Sequence, residues 1–348
     1  MKRSRSPYAL LAAGAGALLG LQALIRRARE IDLHGRTVLI TGASRGLGLV
    51  LAREFAREGA QVALCARDWD ELKRAVDDLR ERGARAVAIQ CDVGDRAQVE
   101  RMVHFVQERF GGIDVLVNNA GIIEVGPMEE MNLQDYADAM QTNFWAPLFT
   151  SMAVLPQMRA RGEGRIVNIA SIGGKISVPH LLPYNASKFA LVGLSEGMRA
   201  ELAHAGIRVT TVCPGLMRTG GAVNATFKGQ HRKEYAWFSI SDALPVVSVE
   251  AEWAARKIVQ ACRRGAAEVI LPLHTKLAAK LYAMFPALGQ EVLALIHRML
   301  PAPGGIGQQR ALGKESYSAA SPSWMSRLGD EAARRNNESP EPSSITSR

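Results

Sequence analysis

The sequence predicts an α/β fold, a doubly wound parallel sheet of seven strands with helices on both faces. From Arg36 onward, short apolar runs alternate with longer amphipathic segments, as parallel strands alternate with crossover helices. The first run opens straight into a glycine-rich turn and then an apolar-striped helix. No linker interrupts the pattern, so Ile31 to Leu271 reads as one domain.

In chain order, strands are expected at Thr37–Thr41, Gln61–Ala66, Ala86–Gln90, Ile113–Val117, Arg165–Ala170, Arg208–Cys213 and Glu268–Leu271. Each is a short run rich in Val, Ile and Leu, and each is bounded by polar or glycine residues. Helices between them include Gly48–Arg57, Trp69–Arg82, Arg96–Phe110 and Tyr184–Ala203.

Three segments flank the domain. Within residues 1–30, Tyr8 to Ile25 is uncharged, with Lys2, Arg3 and Arg5 before it and Arg26, Arg27 and Arg29 after it. As a helix it spans about 27 Å, roughly a bilayer core, and a retained membrane anchor with a cytoplasmic catalytic domain is expected. A cleaved signal peptide is the alternative, since Ala13-Gly14-Ala15 resembles a cleavage site. Residues 272–300 read as an amphipathic helical extension. Leu281, Met284, Phe285 and Leu288 form its stripe, and Pro286 kinks or splits it. That face packs on its own domain, on a partner subunit or on a membrane surface. Residues 301–348 are rich in Pro, Gly, Ser and charge, which predicts disorder.

Composition bounds the function. Hydrophobic residues make up 47% of the 348, enough for a well-buried core. Of the formal +9, residues 1–30 supply +5 (six Lys or Arg against one Glu) and the segment from Pro301 supplies +1. The central region keeps too little positive charge for a nucleic-acid surface. Cys65, Cys91, Cys213 and Cys262 form no C-x-x-C pair, so free thiols in a reducing compartment are expected. The seven histidines show no ligand spacing, and no metal site is expected.

The turn Thr41-Gly42-Ala43-Ser44-Arg45-Gly46-Leu47-Gly48 brings backbone close to a pyrophosphate at a helix N-terminus, as in a Rossmann-type fold. The second strand ends in Ala66-Arg67. An acid there would hold the ribose hydroxyl of NAD, whereas Arg67 and Arg45 suit the extra phosphate of NADP. Asp68 tempers that preference. Tyr184 and Lys188 stand at i and i+4 on one helix face, where an ammonium favours the phenolate and is expected to lower the phenol's pKa.

Together these motifs resemble the short-chain dehydrogenase/reductase family over Ile31 to Leu271. Thr41 to Gly48 is similar to its cofactor turn, and Asp92-Val93 to its adenine contact. Asn118-Asn119-Ala120-Gly121 is similar to its sheet-stabilising motif, and Pro214-Gly215 with Thr219 to the segment around the nicotinamide. Asn143, Ser171, Tyr184 and Lys188 match its catalytic tetrad. The resemblance implies NADP(H) as cofactor and hydride transfer between a carbonyl and a secondary alcohol. Ser171 would polarise the carbonyl, Tyr184 would supply the proton, Lys188 would hold the ribose and tune Tyr184, and Asn143 would support a water relay. It also implies a homo-oligomer built through the helices around Asn143 and Tyr184, and a substrate lid from Gly215 to about Val249. Phe227, Tyr235, Trp237 and Phe238 in that lid either face an apolar substrate or pack the lid down. With the flanking apolar segments they point to a lipid, sterol-like, retinoid-like or fatty acyl carbonyl. A soluble 3-oxoacyl reductase and a non-catalytic NADP-sensing protein are the alternatives.

Overall fold

The computed structural model describes residues 29–244, 248–318 and 327–338. The seven long strands are β1 (Thr37–Thr41), β2 (Gln61–Ala66), β3 (Ala86–Gln90), β4 (Val115–Asn118), β5 (Gly164–Ile169), β6 (Ile207–Pro214) and β7 (Glu268–Leu271). They pair in parallel in the spatial order β7-β6-β5-β4-β1-β2-β3. Chain direction across the sheet reverses between β1 and β4. That switch point opens a crevice at the carboxyl ends of the strands. The Rossmann-type sheet expected from the sequence is therefore present.

The helices are α1 (Gly46–Arg57), α2 (Trp69–Glu81), α3 (Arg96–Phe110), α4 (Leu133–Met140), α5 (Ala146–Arg161), α6 (Leu182–Leu202), α7 (His231–Ala243), α8 (Ala251–Arg263), α9 (Leu273–Met284), α10 (Pro286–His297) and α11 (Arg327–Arg335). Local chemistry sets their ends. Asp68 and Asp95 cap α2 and α3 through their carboxylates, and Gly111 ends α3 at φ 81°. Strand residues alternate between two cores because successive side chains point to opposite faces. Val38 and Ile40 join a cluster with α1, α2 and α8, while Leu39 joins one with α3 and α5. A third, smaller cluster lies outside both. Phe227, Tyr235 and Phe238 pack there with Val125 and Leu181. The lid aromatics thus pack the lid down onto the domain, against Val125 and Leu181.

Two expectations fare differently beyond β7. The 272–300 segment splits at Pro286, the first residue of α10, and the two helices diverge by 118°. Its stripe stays exposed, at 48% for Leu281, 66% for Met284, 53% for Phe285 and 64% for Leu288. The disorder expected after Pro301 is corrected for residues 301–318 and 327–338, which pack onto the domain. Ala311–Leu312 pairs antiparallel with Thr226–Phe227, which pairs in parallel with Glu124–Val125. Arg310 bridges Asp135 (2.7 Å), Asp138 (2.7 Å) and Glu124 (3.0 Å). Arg310, in a segment expected to be disordered, is thus satisfied by acids far away in the chain. The run Tyr8–Ile25, with its anchor or signal reading, lies outside the described residues. Among the described residues, no single helix is long and apolar enough to cross a membrane.

Candidate active site

A cleft of about 480 Å³ lies at the switch point. Its wall contains Gly42, Ser44, Arg45, Gly46, Leu47, Arg67, Asp92, Val93, Asn119, Ala120, Gly121 and Thr219. Twelve of the residues proposed from the sequence to hold a dinucleotide are therefore gathered at one place. Gly42 and Gly46 take φ of 63° and 56°, a region costly to any residue with a Cβ. Asn119 clasps the turn, donating from Nδ2 to the carbonyls of Thr41 (3.0 Å) and Gly42 (2.9 Å).

Three expected residues do not face the cleft. A Cβ on Gly48 would stand 2.1 Å from the Gly42 carbonyl oxygen, so Gly48 seats α1 against the turn and does not line the wall. Pro214 stands at the carboxyl end of β6, paired with Leu271, and is not among the residues lining this cleft. Gly215 donates its N–H to the Leu271 carbonyl at 2.6 Å and leaves no room for a side chain beside Thr275.

The four residues expected to do the chemistry converge where the cleft meets α6. Asn143 sits in a single π-turn, Gln141–Trp145, between α4 and α5, and such turns recur at functional sites. It is fully buried. Its Oδ1 accepts from Ile122 N (3.0 Å), and its Nδ2 donates to Ile122 O (3.1 Å) and Ser187 Oγ (2.9 Å). Ser171 follows β5 and accepts from Gly173 N at 3.0 Å. Tyr184 and Lys188 share one face of α6, the Lys188 Nζ lying 5.7 Å from the Tyr184 ring centre. Nζ donates to the Ile169 carbonyl at 2.9 Å. Gly121 closes the gap, since a Cβ there would lie 3.0 Å from Asn143 Oδ1 and 3.4 Å from Lys188 Nζ.

Electrostatics corrects one expectation. Burial pushes the Tyr184 phenol up to about 12, while a hydrogen bond with Ser171 pulls it back. Burial also pulls the Lys188 ammonium down to about 8. The expected lowering of Tyr184 by Lys188 is not found: burial of the phenol dominates, and the opposing pull comes from Ser171.

A second correction concerns the arginines. Arg45 is already paired with Glu71 (2.7 Å) and Glu338 (3.3 Å), and Ser44 Oγ donates to Glu71 at 3.1 Å. Arg67 is an exposed cation on the wall that pairs with no acid among the described residues. Sequence reasoning missed both acids. Glu71 is one of several charges on α2, and Glu338 lies in a segment expected to be disordered.

It also missed the buried polar string beneath the site. There Thr150 donates to Asn118 (2.6 Å), Asn118 to Asn168 (2.8 Å) and Asn168 to Ser195 (3.0 Å). The signal was present, because Asn168 interrupts the otherwise apolar run of β5.

Comparison with known proteins adds to this geometry. The family model for short chain dehydrogenases matches residues 36–228. Ketoacyl reductase HetN from Nostoc sp. is 40% identical over 189 residues, covering 54% of this chain and 66% of that protein. Dehydrogenase/reductase SDR family member 7B from Danio rerio is 32% identical over 292 residues, covering 82% of this chain and 93% of the relative. Among solved structures, L-sorbose reductase from Gluconobacter frateurii, complexed with NADPH and L-sorbose, matches with a TM-score of 0.62. It is 30% identical, covering 69% of this chain and 97% of that one.

Proposed function

Because the chain belongs to the short-chain dehydrogenase/reductase family, we propose that it is an NADP(H)-dependent enzyme reducing a carbonyl to a secondary alcohol. The observation that carries this reading is the gathering of Asn143 and Lys188 around Gly121 of a glycine-walled cleft, with Tyr184 beside Lys188. The residues present fit a dinucleotide. Gly42 and Gly46 leave backbone bare at the turn, and Arg67 offers an exposed cation near the adenosine end. The NADPH complex of the sorbose reductase supports the same cofactor. NADPH, when bound, supplies the hydride.

The chain's own groups do the rest. The Ser171 and Tyr184 hydroxyls can both donate to one carbonyl oxygen and polarise it. A phenol held up to about 12 keeps its proton at neutral pH. It is therefore poised to give that proton to the more basic alkoxide formed in reduction. Lys188 is the nearest cation, fixed by Ile169, and would hold the ribose of the cofactor. Asn143 is committed to Ile122 and Ser187, which fixes the floor beside Gly121 where a water relay would return the proton to Tyr184.

For the substrate, we favour an apolar carbonyl. Phe227, Tyr235 and Phe238 are taken up in packing the lid, so support comes from the exposed stripe of α9 and α10, which fits contact with a lipid surface. The ketoacyl reductase relative favours a fatty acyl chain within that class, and leaves a soluble 3-oxoacyl thioester as the second reading. Exposed Trp145, Met152 and Phe189 on the flanks of α5 and α6 support a homo-oligomer.

The test is NADPH oxidation screened across carbonyl lipids in detergent and across soluble oxoacyl thioesters. Tyr184→Phe should lower kcat/KM by about 10²–10⁴-fold with NADPH binding unchanged. Tyr184→Phe turning over like wild type would refute the reading.

A further inference from the structure

The segment at residues 327–338 reaches the cofactor turn from the far end of the chain. Its helix α11 seats Ala333 against Gly220, where a Cβ on the glycine would stand 2.2 Å from the Ala333 Cα. Just beyond α11, the Asn336 carbonyl accepts from Gly46 N at 2.9 Å. Gly46 is the first residue of α1, and its N–H is one of the donors a helix N-terminus turns toward an anion. Asn337 donates to the carbonyls of Ser44 (2.8 Å) and Glu71 (3.0 Å). The Glu338 carboxylate completes the contact. It lies 3.3 Å from Arg45, accepts from Asn224 Nδ2 at 2.6 Å and stands 2.3 Å from where a Gly46 Cβ would be.

A carbonyl and a carboxylate thus take the donor, the cation and the space that a pyrophosphate at this turn requires. We propose that residues 327–338 are an autoinhibitory latch that competes with the dinucleotide for the phosphate turn. The inference rests on the reading of the cleft as the dinucleotide site.

The contacts are those of a seat that can be left. They are mostly polar, and α11 buries only Ala332 and Ala333 among its apolar residues. Burial pushes the Glu338 carboxyl up to about 7 against the pull of Arg45 and Asn224, so its charge is held at a cost. Phosphate and carboxylate cannot share Arg45 without like-charge repulsion, and the Gly46 amide is already held by the Asn336 carbonyl, so cofactor entry expels residues 336–338. A latch closed in nine of ten molecules weakens apparent cofactor affinity about tenfold.

NADPH titration of the full chain, Glu338→Ala and a chain ending at Met325 measures this directly, alongside hydrogen exchange of residues 330–338. Both variants should bind NADPH about tenfold more tightly than wild type. In the wild type, NADPH should speed exchange of the 330–338 amides. Faster exchange separates a departing latch from a nearby charge that merely repels. NADPH binding with exchange at 330–338 unchanged or slowed overturns the latch and leaves the cofactor reading intact. No NADPH binding by any of the three proteins overturns both.

Discussion

Replacing Gly48 with alanine tests whether the cofactor turn is held by packing from below. The new Cβ would lie 2.1 Å from the Gly42 carbonyl oxygen, 2.6 Å from Asn119 Nδ2 and 2.9 Å from the Ala43 Cα. Two of these three neighbours are backbone and cannot rotate aside. Restoring ordinary contact needs α1 to withdraw from the turn by more than about 1 Å, an overpacking displacement that costs about 1–3 kcal/mol. The same movement strains the two Asn119 bonds to Thr41 and Gly42, at about 1 kcal/mol each. The sum is about 3–5 kcal/mol, a fall in Tm of roughly 10 °C for a domain of this size. NADPH affinity should drop at least about tenfold, because the glycine amides leave their positions. Differential scanning calorimetry and fluorescence titration read the two effects. A Tm within about 2 °C of wild type, with unchanged affinity, would refute the packing argument.

Other perturbations separate the remaining features. Arg310→Gln removes the cation shared by Asp135, Asp138 and Glu124. Since its side chain is 42% exposed, the loss should be about 1–2 kcal/mol, read as an earlier urea midpoint, and an unmoved midpoint contradicts it. Lys188 falls from 10.5 to about 8 on folding, so between those values the unfolded chain binds a proton that the folded chain does not. Native stability should therefore rise across pH ~8 to ~10 in wild type and rise less in Lys188→Met; parallel profiles would contradict this. Leu288→Glu changes a residue 64% exposed on α10 and should leave stability within about 0.5 kcal/mol. It should also weaken flotation with phospholipid vesicles, and undiminished flotation would remove the membrane reading of that face.

Much of the architecture is written locally. The bounds of β1, β2, β3 and β7 and of α3 match the runs read from the sequence, because each is a periodic segment between turn residues. The same holds for the cleft, whose glycine turn and Asn119–Gly121 motif are short and contiguous. What escaped is non-local. Arg310 is ordered by acids that lie far back in the chain, and Asn336 to Glu338 by the turn at Gly46. Neither pairing leaves a periodic trace. The π-turn that presents Asn143 adds a residue to a helical run without changing its composition, so nothing in the pattern marks it. The ionisation of Tyr184 depends on how much water the folded site excludes, a quantity that Tyr-x-x-x-Lys spacing does not carry.

The separate small core around Phe227, Tyr235 and Phe238 has a consequence for dynamics. A cluster separate from the two large cores can loosen locally while the sheet stays intact, but Val125, Leu181 and Tyr184 of the domain share this one with the lid. Breathing of this kind lies far below global unfolding in free energy. Opening the entrance therefore frees one wall of the Tyr184 ring, which ties the motion of the lid to the position of that hydroxyl.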